Sequence, residues 1–228
     1  MGETTEGTLP SLSRNRRRVS LVLLVAFAAL FPYVAVPRPA DLTAFDPAEA
    51  AGLETAMWRH YYDHRFAALF LDLYRLARDQ QGFSPLDSAR IAVAAARAAK
   101  AFQSTTSRNE AQAAVPLLAD YFAVLARGAP GPVDIAAAAA AELDWWQARR
   151  ESVGPKDYGL TIARVATLLY GVDGADVRTF GVLRAEAMAF RDARGAAITE
   201  ADWDAIDAQL RDAYGHLKQA VSRGAKIR

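Results

Sequence analysis

Two histidines lie four residues apart in the string Met-Trp-Arg-His-Tyr-Tyr-Asp-His-Arg, which occupies residues 57–65. On an α-helix His60 and His64 would share one side, and that spacing suits two metal ligands. The glutamate of an H-E-x-x-H zinc site is missing, and no glutamate stands three residues before a histidine, as di-iron sites require. The chain has no cysteine, so thiolate metal sites and c-type haem attachment are excluded. A metal or haem site would therefore depend on His60 and His64, and we predict no cofactor.

A helical wheel over the same segment offers a structural interpretation of the histidines. Met57, Tyr61 and His64 fall in an apolar sector, whereas His60 falls on the polar side. His64 is then a histidine at the edge of the core that bonds to a neighbour, and His60 lies at its rim. We favour this interpretation and keep ligand binding by His60, His64 and Tyr61 as the alternative.

A second string, Glu-Leu-Asp-Trp-Trp-Gln-Ala-Arg-Arg at residues 142–150, also combines aromatic and arginine side chains. On a helix Glu142 shares a face with the two tryptophans, and Arg149 lies two turns further along. Arginine beside an aromatic ring is a favourable pair, so Trp145 and Arg149 could line a cleft for an anionic or planar ligand. The structural alternative, which we favour, is that the tryptophans fill the core while arginines bridge to acidic residues. The arginines would be Arg59, Arg65 and Arg149, and their partners Asp63, Glu142 or Glu186.

Other sequence patterns that carry chemistry are absent. The sequence contains no G-x-S-x-G nucleophile elbow, no G-x-x-x-x-G-K-[ST] phosphate loop and no G-x-G-x-x-G dinucleotide motif. The formal net charge of +1 provides no basic field for a nucleic acid. We therefore expect a binding or interaction role rather than catalysis, and no nucleic-acid partner.

An uncharged apolar run extends from residue 19 to residue 36. At the helical rise this run is about 27 Å long, close to the hydrocarbon thickness of a bilayer. We predict a transmembrane anchor whose apolar positions include Val19, Leu24, Phe27, Leu30 and Val36. The basic residues before it, which should stay in the cytoplasm by the positive-inside rule, are Arg14, Arg16, Arg17 and Arg18. The chain then divides into a basic tail (1–18), an anchor (19–36), a linker (37–46) and an exported domain (47–228).

A cleaved signal peptide is the alternative interpretation of this N-terminal segment. Ala26-Phe27-Ala28 fits a small-x-small cleavage site, but cleavage there would leave an apolar stub on the mature chain. Pro37 and Pro39 crowd any later site, so we expect the anchor to be retained. Only four of the 27 basic residues are lysines, which together with the abundant alanine indicates a bacterium with a GC-rich genome.

Residues 47–228 are predicted to form helices joined by short breaks, because strand signals are almost absent. The first predicted helix follows Asp46 and Pro47 and continues to about Gln80. A later helix contains Pro116, which should kink or split it. The other predicted starts lie at Ser84, Ser107, Asp134, Asp157, Asp173 or Asp176, and Thr199. We predict an all-α fold with one N-terminal transmembrane helix and an exported bundle of about seven helices.

Two functions of different classes agree with these features. The first is a membrane-anchored accessory or scaffold protein of the bacterial cytoplasmic membrane, with its N-terminus inside and its helical domain in the periplasm. It would dock onto a larger integral-membrane complex of respiration, photosynthesis or transport. The alternative is a helical protein, either a binding protein or an enzyme, that binds a metal, haem or small ligand through the segment that holds His60 and His64.

Overall fold

The computed structural model describes residues 19–22, 24–25, 28, 31, 33–34, 36 and 38–225. The chain divides into two units, residues 1–36 and residues 37–228. In the part of the chain that is described, no helix has both the length and the apolar character needed to cross a membrane. Val19 and Leu24 are helical and Val36 is in a bend. The other residues of the predicted anchor and tail, Phe27, Leu30, Arg14, Arg16, Arg17 and Arg18, lie outside the described residues.

Residues 38–225 form nine α-helices and no strand, which confirms the all-α prediction. The helices are α1 (Pro47–Tyr62), α2 (Phe66–Arg75), α3 (Pro85–Gln103), α4 (Arg108–Ala111), α5 (Val115–Leu125), α6 (Ile135–Arg150), α7 (Pro155–Tyr170), α8 (Ala175–Arg194) and α9 (Glu200–Ala225). A π-helical segment covers Leu76–Gln80, and 3₁₀ turns cover Gln112–Ala114, Ala126–Gly128 and Gly195–Ala197.

Most helices begin at the capping residues that the sequence predicts. The Asp46 carboxylate accepts hydrogen bonds from two backbone N–H groups at the start of α1, and Pro47 occupies the first turn. Ser84 and Asp134 cap α3 and α6 in the same way. Thr199 caps α9, and the Asp202 carboxylate accepts from the backbone N–H of Thr199 in return. These bonds satisfy N–H groups that have no partner within a helix.

Helices α2, α5, α7 and α8 begin without a side-chain cap. Helix α7 starts at Pro155 after Gly154, and α8 starts at Ala175 after Gly174. The predicted starts at Asp157 and at Asp173 or Asp176 are therefore displaced by one to two residues. Helix α7 ends as predicted at Gly171, whose φ of 62° lies in the left-handed region that glycine adopts without strain.

The predicted single helix from residue 47 to about residue 80 is wrong. Helix α1 ends at Tyr62, and His64 adopts a left-handed φ of 56° in the turn before α2. In this turn the backbone N–H of Arg65 donates to the carbonyl of His60. The turn lets Asp72 of α2 reach back to His60 of α1, with 2.6 Å between Oδ2 and Nδ1. This break, together with the predicted split before Pro116, raises the number of helices from about seven to nine.

The eight longer helices form a closed ring. Extensive packing joins each of them to the next along the chain, and the last helix, α9, packs against the first, α1. Because consecutive helices joined by short connections run antiparallel, the C-terminal ends of α1, α3, α6 and α8 lie at the same end of the ring. Helix α4 is a single turn that leads into α5.

The closest approach in the ring lies between α7 and α8. A Cβ atom on Gly181 would lie 2.1 Å from the carbonyl oxygen of Gly159 and 2.7 Å from the backbone nitrogen of Ala163. Only glycine at these positions lets the two backbones come so close. The buried Tyr158 hydroxyl also donates a 2.5 Å hydrogen bond to the carbonyl oxygen of Ala185. We call this contact between α7 and α8 the seam, and it fixes the distance between the two helices.

Candidate functional site

A cavity of about 350 Å³ lies at the centre of the ring and is lined by residues from all eight longer helices. We call it the central cavity. Its aromatic and acidic lining residues lie mostly on α1, α5, α6 and α9, while α2 and α3 contribute leucine and alanine side chains. The lining residues that carry the argument below are Glu54, Trp58, Tyr61, Tyr121, Glu142, Trp145, Trp146, Arg184 and Tyr214.

Two of the charged groups in the central cavity neutralise each other. Arg184 on α8 donates from Nε (2.7 Å) and Nη2 (2.6 Å) to Oε1 of Glu54 on α1, and Glu54 is 2% exposed. The hydroxyl of Tyr214 on α9 donates to Oε2 of the same carboxylate at 2.8 Å. Burial and the charge of Glu54 raise the pKa of Tyr214 well above its ordinary value, so Tyr214 remains a neutral donor. This triad ties three helices together around a satisfied buried carboxylate.

Glu142 on α6 is the other acidic group of the central cavity. It accepts a 3.0 Å hydrogen bond from Nε1 of Trp146, and no cation in the described part of the chain lies within ion-pair distance of it. Burial raises the pKa of Glu142, while the indoles of Trp145 and Trp146 and the charge of Arg184 act in the opposite direction. Glu142 is half-buried and lines the central cavity, so its accessible surface faces that space.

A second cavity of about 440 Å³ lies at the end of the ring where α1, α3, α6 and α8 terminate. We call it the aromatic cleft. It shares Tyr61, Ala99, Trp145 and Trp146 with the central cavity, so these side chains form the boundary between the two spaces. Its other lining residues are Phe102, Gln103, Thr105, Arg149, Arg150 and Asp192.

Aromatic and guanidinium groups run in contact from the surface to the central cavity. The Arg150 guanidinium lies 4.3 Å from the centre of the Phe102 ring, and Phe102 meets Trp146 edge to face at 5.3 Å. Trp146 meets Trp145 at 6.1 Å, and the guanidinium of Arg184 lies 5.5 Å from the Trp145 ring. A row of aromatic rings and guanidinium groups favours planar ligands, which can stack on these rings or contact them edge to face.

Arg149 holds one edge of the aromatic cleft. Its Nε and Nη2 donate to the two carboxylate oxygens of Asp192 on α8 at 3.0 and 2.8 Å, and Nη2 also donates to the Tyr62 hydroxyl at 2.5 Å. Burial lowers the pKa of Arg149, but the hydrogen bonds and charges of Asp192 and Tyr62 together outweigh burial and raise it. Arg149 is therefore a permanent cation whose charge is balanced by Asp192.

The structure brings together some of the site residues that the sequence singled out. Tyr61, Trp145 and Arg149 all line the aromatic cleft. The two histidines do not: His60 is bonded to Asp72, and the exposed His64 lies 5.9 Å from the ring of Phe66.

The prediction that the two histidines share a helix face is wrong, because α1 ends before His64. In the part of the chain that the structure describes, no three His, Asp or Glu side chains are arranged to hold a metal ion.

The ion pairs expected for the arginines also differ from those observed. Arg59 pairs with Glu200 at 2.7 Å and lies over the ring of Trp203, while Arg149 pairs with Asp192. Glu142 is bonded to Trp146 rather than to an arginine. The partners lie on helices that pack together only after the ring closes, so spacing within one helix does not identify them.

The sequence interpretation missed the triad of Glu54, Arg184 and Tyr214. A weak signal was present, because Glu54 stands between the small or apolar residues of one face of α1, with Ala50, Ala51 and Met57 within one turn. A lone charged residue on an otherwise apolar helix face is buried and needs a partner. The partner lies 130 residues away, so only the packing reveals it.

Comparison with known proteins adds no assignment. No protein family, curated protein or solved structure matches this chain. The function is therefore argued from the central cavity, the aromatic cleft and the charges that line them.

Proposed function

We propose that the ring of helices is a small-molecule-binding domain whose ligand passes through the aromatic cleft into the central cavity. The observation that carries this proposal is a central cavity lined by all eight longer helices and bordered by a cleft that shares Tyr61, Trp145 and Trp146. A fold that uses every helix to surround one space can place many side chains around a bound molecule.

The size and lining of the two spaces support ligand binding. Their volumes of about 350 and 440 Å³ lie within the roughly 300–1,000 Å³ of small-molecule sites. Such sites are mostly apolar and aromatic, with a few placed polar groups. Glu142, Arg184 and Glu54 are those polar groups here, and none of the residues that line the central cavity is a serine, histidine or lysine. This composition favours binding over nucleophilic catalysis.

The proposal includes attachment to the bacterial cytoplasmic membrane, with the domain on the periplasmic side. It is supported by the uncharged run from residue 19 to residue 36 and by the four arginines before it. A tether keeps a binding domain close to membrane proteins and raises its effective concentration there.

The test is a titration of the full-length chain in lipid nanodiscs with 4-phenylbutanol, a neutral probe with one aromatic ring. We expect saturable binding measured by calorimetry, together with a change in tryptophan fluorescence, because Trp58, Trp145 and Trp146 line the central cavity. Ala99→Phe adds a ring where the cleft and the cavity meet, and should reduce the affinity by about tenfold or more. Ala123→Phe, on an exposed position of α5, is the matched control. Absence of saturable binding to the wild-type chain contradicts the proposal.

A second candidate function, docking onto an integral-membrane complex, is favoured by one surface of α2. Phe66, Phe70 and Leu71 are 59%, 37% and 43% exposed and lie within two turns of each other. Exposed apolar side chains that are grouped together indicate a contact surface.

The docking function predicts that the chain migrates with a large complex on a native gel of gently solubilised source membranes. The double variant Phe66→Ser, Phe70→Ser should then migrate near its own mass. Migration of the wild-type chain near its own mass contradicts docking and leaves the binding function unaffected.

A further inference from the structure

We propose that the ligand of the central cavity carries a protonated amine, and that Glu142 binds this ammonium group between the indoles of Trp145 and Trp146. The inference rests on the proposed binding function and adds the chemical class of the ligand. It is carried by the charges, the aromatic rings and a poorly satisfied indole N–H donor that meet at one place in the cavity.

The charges that line the central cavity do not cancel. Glu54, Glu142 and Arg184 are the charged residues among its described lining, and Arg184 makes its ion pair with Glu54. Glu142 therefore has no cation of its own. A carboxylate in such a cavity is costly without a cation, and a ligand ammonium would supply the missing positive charge.

The side chains around Glu142 suit an organic cation. The indole of Trp146 donates to the carboxylate, and the adjacent indole of Trp145 stands edge to face with it. Tyr121 lines the same cavity from α5. Ammonium groups bind favourably to the faces of tryptophan and tyrosine rings, and more strongly where water is excluded. A carboxylate flanked by aromatic rings provides both the negative charge and the ring faces that an ammonium group needs.

A second observation points to a ligand at the same place. Trp145 is 7% exposed, and its Nε1 has no well-formed hydrogen bond; the indole makes at most a weak hydrogen bond to Glu142, which lowers the pKa of that carboxyl. A buried indole N–H with so weak an acceptor costs free energy, and ligands commonly satisfy such groups. An oxygen atom on the ligand, or a small shift of Glu142 on binding, would satisfy Trp145.

The arginines of the aromatic cleft do not oppose a cationic ligand strongly. The charge of Arg149 is balanced by Asp192 at 2.8 Å. Arg150 is exposed and donates to the backbone carbonyl and the side chain of Thr105 at the outer end of the cleft. Its charge is therefore screened by solvent and salt.

The experiment compares two probes that differ only in the group that Glu142 would bind, 4-phenylbutylamine and 4-phenylbutanol. Both are titrated into the full-length chain in nanodiscs at neutral pH, with calorimetry as the readout. We expect the wild-type chain to bind the amine about tenfold more tightly than the alcohol, which is typical of a charge-assisted hydrogen bond. Glu142→Gln should weaken amine binding by about tenfold while alcohol binding changes by less than about threefold. Asp144→Asn, the same charge change on the exposed side of α6, should leave both affinities unchanged.

Each outcome decides between the inference and the proposed function. Equal binding of both probes by the wild-type chain overturns the inference and leaves the binding function standing. Binding of neither probe contradicts the binding function itself. Alcohol binding by the Glu142→Gln variant shows that its cavity is intact, so retention of amine binding there overturns the role of Glu142. Loss of both probes in this variant, with wild-type thermal stability, shows that Glu142 is needed for binding whether or not the ligand is charged and also overturns the inference.

Discussion

The wall formed by α7, α8 and α9 is packed much more closely than helix α2, which belongs to another part of the ring. In the wall, Gly159 and Gly181 bring two backbones into contact, and Val177 and Leu210 are fully buried. Helix α2 has no fully buried apolar side chain, and its one buried residue is Asp72. The same ring therefore combines a close-packed side with a loosely packed one.

This difference shows how a helical ring can keep a cavity and remain stable. Small residues allow α7 and α8 to pack at short distance, which maximises contact between them. Leu69 and Leu73 of α2 instead line the central cavity, where they lack neighbouring atoms on one side. Helix α2 also lies between the left-handed His64 and the π-helical segment Leu76–Gln80, two departures from regular helix. We infer that the wall supplies most of the stability and that α2 covers the site.

The largest expected effect is that of Gly181→Ala in the wall. The added Cβ would lie 2.1 Å from a backbone oxygen, so α7 and α8 must separate. We expect a loss of about 4 kcal/mol in the free energy of unfolding. This loss is above the usual cost of overpacking because the added Cβ clashes with backbone atoms, which cannot move aside as a side chain can. The control is Gly215→Ala on α9, where a Cβ meets nothing within 4 Å, and a gain of about 0.5–1 kcal/mol is expected. Chemical denaturation measures both, and wild-type stability in Gly181→Ala would remove the argument for a close seam.

The same substitution placed in the two regions sharpens the comparison. Leu210→Ala on α9 removes a fully buried side chain and should cost about 3 kcal/mol. Leu73→Ala on α2 removes a half-buried side chain that already borders the central cavity, so about 1 kcal/mol is expected. Equal losses in urea denaturation of the two variants would show that α2 is packed as firmly as the wall.

A smaller effect is expected for Tyr158→Phe at the seam. The variant loses the hydrogen bond to the carbonyl of Ala185, which should cost about 1 kcal/mol near neutral pH.

The same variant has an alkaline signature. Burial raises the pKa of Tyr158 to about 12 in the folded chain, from an ordinary value of 10. Its contribution to stability is therefore complete below pH 10 and is lost as the pH rises toward 12, because the unfolded chain releases the proton first. Stability measured against pH in this range should fall less steeply in Tyr158→Phe than in the wild-type chain, and identical slopes would contradict the assignment.

The smallest effect is expected on the outer face of α2. Phe70→Ser removes a side chain that is 37% exposed and should change the free energy of unfolding by less than about 1 kcal/mol. Thermal denaturation measures this change. A loss comparable with that of Leu210→Ala would show that this face is covered in the native protein.

The helix starts were largely predictable because caps are local. Asp46, Ser84, Asp134 and Thr199 each bond to a backbone group within three residues, so their types and spacing identify the start. The break after Tyr62 was not predictable in this way, because the segment lacks glycine and proline. His64 adopts its left-handed conformation where α2 folds back onto α1, and that fold is held by the bond between His60 and Asp72.

The candidate site was predictable in part. Unusual clusters of aromatic and arginine residues drew attention to Tyr61, Trp145 and Arg149, and these residues line one cleft. The histidines in the same cluster line neither that cleft nor the central cavity. Composition showed which side chains could bind a ligand, but the direction in which each points depends on where its helix ends.

The sequence by itself determined the all-α fold, most helix boundaries and two of the aromatic residues that line the site, Tyr61 and Trp145, because caps and helical periodicity act over a few residues. Only the tertiary structure decided that α9 closes the ring on α1 and that Arg184 and Tyr214 meet Glu54 from 130 and 160 residues away. It also decided that, among the residues that the structure describes, no cation pairs with Glu142. Such pairings depend on how whole helices pack, so they cannot be predicted from residues that are neighbours in the sequence.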